Sequence, residues 1–158
     1  MATWGEFAQA EPEMAALGLR LLHKFELAYL ATTRRDGSAR LHPVCPVIAG
    51  GRVFVATDPA SPKRFDLLRD GRYALHMLPG EHDAEFWIRG RARRTTDHET
   101  RAMVVDTAAR TVLPGGGTLV IRDVEWLFEY DLQEAGTAVW ENVGTPEIRA
   151  LRRFWRAP

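Results

Sequence analysis

The stretch FELAYLATTRRDGSARLHPVCPVIAGGRVFVAT, Phe25 to Thr57, decides how this chain is read. Its apolar and β-branched runs are cut by two turn signals, Asp36-Gly37 and Gly50-Gly51, so it predicts three strands in a meander of two hairpins. In the middle run, Arg40, His42 and Val44 share one face, and Leu41, Pro43, Cys45 and Val47 the other. Pro43 and Pro46 have no N–H to give a ladder, so part of this strand belongs at an edge or bulge. Such a break leaves backbone groups open to a ligand, and barrel closure alone could also require it.

Working outward, Met14, Leu17, Leu21 and Leu22 recur at helical spacing and predict an amphipathic helix from about Glu13 to Lys24. After the meander, Ser61 stands as N-cap and Pro62 at the first helical position, with Phe65 and Leu68 as the buried side and Gly71 as the stop. RYALHML (72–78) and AEFWIRGRARRTT (84–96) read as strands. In the second, Phe86, Ile88, Gly90 and Ala92 alternate with Trp87, Arg89, Arg91 and Arg93. Thr96 and Glu99 have capping-box spacing for a helix from about Asp97 to Arg110. TLVIRDVEWLFEYDL (118–132) and TAVWENV (137–143) supply the last strands, and Thr145-Pro146 predicts a C-terminal helix carrying Ile148, Leu151 and Trp155. Six or seven strands with three or four short helices, and no strand-helix alternation, imply one closed or nearly closed antiparallel barrel spanning residues 1–158.

Composition limits the partners. Lys plus Arg and Asp plus Glu each number 21, so no global field draws the protein to nucleic acid or an anionic membrane. No apolar run reaches the length of a membrane span, and no signal-peptide pattern opens the chain, so the expectation is a soluble cytoplasmic protein. The single cysteine, Cys45, lacks an evident base and reads as a small core residue. His23, His82 and His98 are scattered without metal-ligand spacing, and His76 reads as an interior or interface histidine. There is no GxGxxG and no P-loop. The arginines 149, 152, 153 and 156 suit the solvated side of a docking helix.

The stretch TDPASPKRFDLLRDGRYALH, Thr57 to His76, raises a physical conflict. Lys63 and Arg64 sit in the first turn of a helix, where they oppose the macrodipole by about 0.3–1 kcal/mol each. A bound anion resolves this: Thr57 and Ser61 offer hydroxyls, Lys63 a point charge and Arg64 a planar fork. The alternative is two solvated cations beside Asp58 and Asp66.

Taken together, YLATTRRDGSARLHPVCPV, VFVATDPASPKRFDLLRDGRYALH and FWIRGRARRT resemble the flavin-binding split-barrel family related to pyridoxamine 5′-phosphate oxidase. The Thr57, Ser61, Pro62, Lys63 pattern followed by Leu67 and Arg69 is the most specific part. The resemblance implies a mainly β (α+β) fold, a six- to seven-stranded antiparallel split β-barrel with short flanking helices. It also implies a homodimer with FMN at the subunit interface. Thr57, Ser61, Lys63 and Arg64 would hold the phosphate, Arg40, His42, Pro43 and Val44 would line the ring, and Trp87, Arg89 or Trp140 would come from the partner subunit.

The longer chain and C-terminal substrate pattern of the vitamin-forming enzyme have no match here, so pyridoxamine phosphate oxidation is not expected. The function implied is a flavin-dependent oxidoreductase that passes hydride or electrons to a small conjugated substrate. Arg40 or a strand N–H would stabilise the reduced ring, and His42 would hydrogen-bond or donate a proton. Two alternatives share the fold: a reductase using the deazaflavin coenzyme F-420, whose longer tail would reach Arg64 and the Asp58–Ala60 loop, and a flavin- or haem-binding protein without turnover.

Overall fold

The computed structural model describes residues 1–158 and contains eight strands in one antiparallel sheet. The Phe25–Thr57 meander forms as two hairpins. Ala28–Thr33 (β1) turns at Asp36-Gly37 into Ala39–Val44 (β2), and Val47–Ala49 (β3) turns at Gly50-Gly51 into Arg52–Ala56 (β4). The middle run is therefore two strands, because the chain breaks at Cys45-Pro46. Then follow Pro62–Arg69 (α3), Arg72–Met77 (β5), Glu85–Arg94 (β6), Leu127–Glu141 (β7) and Arg149–Arg156 (β8). Across the sheet the order is β2-β1-β5-β6-β7-β4-β3, with β8 on the far half of β7.

This order explains the split. β2 and β3 are joined by two residues, yet they end on opposite edges of the sheet and do not pair. Pro43 and Pro46 flank the junction and cannot donate the bonds that would close it. The sheet curls into a barrel with a seam at Cys45, as the fold class expected, with eight strands instead of six or seven.

Two apolar clusters hold the barrel. The larger, with Leu30, Val53, Val55, Leu75, Phe86, Ile88, Phe128 and Tyr130, fills the interior under α1 (Trp4–Ala10) and α2 (Pro12–Phe25). The smaller joins Val47, Phe54 and Leu127 to Val104 and Ala108 of α4 (His98–Arg110). β4 is buried on both faces because Val53 and Val55 point into the barrel and Phe54 points to α4. No helix is long and apolar enough to cross a membrane.

Four expectations need correction. The C-terminal segment is strand β8, not a helix: its Leu151 and Trp155 lie four apart, a spacing that keeps side chains on one side of a strand as well as a helix. The open edge of β7 supplies eight paired positions, Trp155 packs 5.0 Å from Phe7, and Arg153 reaches Glu11 and Glu13 at 2.9 Å each. The four arginines thus lie on an edge strand, where charge discourages further pairing.

TAVWENV is not a separate strand but the end of the 15-residue β7, and residues 119–123 are irregular chain followed by a 3-10 turn, Val124–Trp126, that leads into β7. A register shift against β6 at Arg89/Gly90 lets β7 serve β4 with one half and β8 with the other. Helix α1 is additional, opened by a capping box between Thr3 and Glu6. The α4 cap is Asp97, whose carboxylate accepts from the Thr100 N–H at 2.7 Å, in place of Thr96.

The fourth correction concerns α3. Phe65 and Leu68 are 53% and 51% exposed, while Asp66 and Leu67 face the barrel. The reason is Asp66, 4% exposed, which accepts hydrogen bonds from Thr32 Oγ1 at 3.0 Å, Arg40 Nε at 2.7 Å and Arg69 at 3.2 Å. Burial disfavours its charge, but those three donors outweigh it and hold the carboxyl below its ordinary range.

Candidate functional site

The seam at Cys45 opens into a cleft of about 310 Å³. Pro43, Val44 and Cys45 form one wall, Thr57, Asp58 and Lys63 the second, and Leu119 to Asp123 the third. Each wall has a sequence cause. The prolines leave the outer edge of the first unpaired, Pro62 starts α3 so that Lys63 falls in its first turn, and irregular chain 119–123 forms the third.

Lys63 is the chemically distinctive group. It is half-buried, enters no ion pair, and its Nζ donates only to Ser61 Oγ, at 2.9 Å. Burial lowers its pKa, with Asp58 partly opposing. Ser61 occupies the N-cap position without capping the helix, and its hydroxyl, having accepted from Lys63, keeps its own O–H to give. The first turn of α3 carries no acidic residue. A charged amine drawn from water without a counter-ion is a cost that a bound anion removes.

Arg64 lies beside the cleft, not in its lining. Its guanidinium stacks 4.0 Å from the Trp126 ring centre and 4.2 Å from that of Phe65, and its Nε is buried without any partner. Arg94 stacks on Trp126 as well, at 4.2 Å, but is tied to Glu125. Arg64 Nε is thus a buried donor without a partner, one residue from a half-buried ammonium that has no counter-ion.

The other expected residues fall into three groups. Pro43, Val44, Thr57 and Lys63 line the cleft together, although the Thr57 hydroxyl already donates to the Trp126 carbonyl at 3.2 Å. Arg40 and His42 stand beside it on β2. Arg40 is bound through Nε to Asp66, which straps β2 to α3. His42 is held below the usual imidazole range, first by burial and then by the charges of Lys63 and Arg40, so it is neutral at neutral pH.

Trp87 and Trp140 do not reach the cleft of their own chain. They lie on the outer sheet face, where Trp87 covers Gly136: a Cβ there would meet the indole at 2.4 Å. Tyr29, Leu41 and Phe154 share this face, the last two 64% and 66% exposed. His76 is there too, its Nδ1 2.6 Å from the Met77 carbonyl.

Residue spacing missed the third wall and Cys45. Cys45 is half-buried at the seam, and burial pushes its thiol pKa up, so it is no thiolate nucleophile. Residues 119–121 are a β-branched and apolar run that imitates a strand, and only the Gly115-Gly116-Gly117 turn before them marks a fold-back. A larger cavity between α2 and β7 contains none of the expected residues. The unpaired Lys63 decides in favour of the seam.

Comparison with solved structures supports the fold. A haem-binding protein from Mycobacterium smegmatis is 17% identical, with a TM-score of 0.61 over 89% of this chain, which spans only 58% of that protein's length. A NimC/NimA family protein from Clostridium acetobutylicum is 13% identical (TM-score 0.58), covering 85% of this chain and 90% of that one. A Clostridium acetobutylicum protein related to general stress protein 26 of B. subtilis, of the pyridoxinephosphate oxidase family, is 10% identical (TM-score 0.60), covering 89% and 95%. No curated protein matches. The family model for pyridoxamine 5′-phosphate oxidase matches residues 17–126, from α2 through all three walls of the cleft, and with the seam, strand order and Lys63 pattern it shows that the chain belongs to that family.

Proposed function

We propose that the protein is a homodimeric flavin-dependent oxidoreductase that seats the phosphate of FMN against Lys63 and the ring along Arg40, His42, Pro43 and Val44. The half-buried ammonium of Lys63, with a single hydroxyl for a partner, is the observation that carries this reading. Bound flavin would supply the hydride and electron exchange with a small conjugated substrate. The chain's own part is electrostatic and steric. Lys63 and the free O–H of Ser61 meet the phosphate, and Arg64 Nε is a further donor beside it. Arg40, whose terminal nitrogens make no bond within the chain, adds positive charge on β2, and neutral His42 adds a hydrogen-bonding group without charge.

A second copy is part of the proposal. A cleft of about 310 Å³ is at the small end for a ligand pocket, so it suits one half of a shared site. The outer face leaves Tyr29, Leu41 and Phe154 exposed, apolar side chains that a second copy would cover. Docked there, a partner would bring Trp87 or Trp140 to the other subunit's cleft.

A haem reading is the second one, favoured by the neutral imidazole of His42 beside the seam, an available metal ligand. The test is one screen of purified protein against FMN, coenzyme F-420 and haemin, with mass by light scattering. The proposal expects a dimer that takes up one FMN per chain and passes electrons from NAD(P)H to an added acceptor. Preferential F-420 uptake reassigns the cofactor, a Soret band without flavin uptake supports haem, and no uptake by any arm rejects the site.

A further inference from the structure

A cavity of about 530 Å³ lies between α2, the loop before β6 and the second half of β7, and shares no residue with the Lys63 cleft. We propose that it is a second binding site, for an amphipathic anion of the medium-chain carboxylate type. Its floor is apolar: Met14, Leu17 and Leu21 from α2, Ala84 from the loop and Val139 from β7. Two cations stand over that floor, Arg20 and Lys24, one helical turn apart on the same side of α2.

Neither cation has a carboxylate partner within the chain, and Lys24 has only the face of Phe25, 5.5 Å away. The third cation of the lining, Arg153, is already compensated by Glu11 and Glu13. Glu81 is an exposed acid of the lining and enters no ion pair, and with Glu11 included the charges around the cavity balance, so the unpaired positive charge is local to Arg20 and Lys24 on α2. An apolar body with a negative head at the Arg20–Lys24 end matches both features together, and an uncharged ligand matches less well.

The loop that lines one side of the cavity through Gly80, Glu81 and Ala84 is an independent sign. His82 and Asp83 take φ of +54° and +51° in succession, a conformation that non-glycine residues adopt at a cost and that gathers at ligand clamps. Gly80 lets this loop lie against α2, since a Cβ there would stand 2.5 Å from Leu21 Cδ2. The chain thus holds a strained loop tight against the helix at one end of an open cavity.

The test is calorimetric titration with decanoate and with decanol, its uncharged counterpart. Wild-type protein should bind one decanoate per chain and decanol more weakly. Arg20→Gln/Lys24→Gln, two exposed changes, should weaken decanoate about tenfold. Val139→Trp should fill the cavity and remove binding while FMN uptake in the same sample stays as in wild type. The proposal is overturned by no decanoate binding to wild type, by equal affinity for decanol, or by undiminished binding in either variant. Because FMN uptake is read separately, failure here leaves the cofactor proposal standing, and the reverse also holds.

Discussion

The two ends of this barrel are built on opposite rules. Around Phe86, beneath α1 and Gly18 of α2, the chain is closed: Trp4, Phe7 and Phe86 interlock with ring centres 5.4–6.0 Å apart, and Gly18 is a glycine because a Cβ would enter the Phe86 ring. At the seam the chain is left open: two prolines block pairing, an ammonium lacks a counter-ion, and a guanidinium nitrogen is buried without an acceptor. Packing carries the first region and unmet electrostatic demand marks the second. The difference separates what holds the fold from what the fold is for, and substitutions at the two ends should fail differently.

The largest effect expected is at the closed end. Phe86→Ala should cost about 3–5 kcal/mol in urea unfolding, since the ring is fully buried among three aromatic and helical neighbours. A loss near 1 kcal/mol would mean that this end is no better packed than the seam.

Next comes the strap between the two elements of the seam. Asp66→Ala leaves Arg40 without its buried partner and should cost about 3 kcal/mol. Its charge is also a source of acid sensitivity. The folded carboxyl titrates below its unfolded value, so its contribution is complete above the unfolded pKa, about 4, and is lost as pH falls through the folded one. Asp66→Asn should therefore flatten the acid limb of the stability profile, and an unchanged limb would contradict the strap. A smaller effect belongs to Thr3→Ala, which removes the α1 cap and should cost about 1 kcal/mol by thermal unfolding with FMN uptake untouched.

Legibility in the sequence followed the range of the interaction. The hairpins at Asp36-Gly37 and Gly50-Gly51, and the start of α3 at Pro62, are set by neighbours in the chain, and they form where the local signals put them. Lys63 was readable for the same reason, as a cation in a first helical turn. The orientation of α3 was not, because Arg40 and Thr32 lie 26 and 34 residues from Asp66 and no local period reports them. With Asp66 unplaced, Phe65 and Leu68 looked like the core side. Strand β8 was hidden because Leu151 and Trp155 satisfy both periods, and the free edge of β7 decided between them. Helix α1 was legible in Thr3 and Glu6, a capping box as local as any, but one short turn of apolar residues gives a weak period.

The central claim is that the seam anchors a phosphate through Lys63, and the ratio of FMN to riboflavin affinity measures it most directly, because the two ligands differ only in that group. Wild-type protein should bind FMN at least about tenfold more tightly than riboflavin, and Lys63→Ala should cut most of that preference while riboflavin affinity stays put. Equal affinity for the two in wild type, or a ratio that survives the loss of Lys63, would contradict the account.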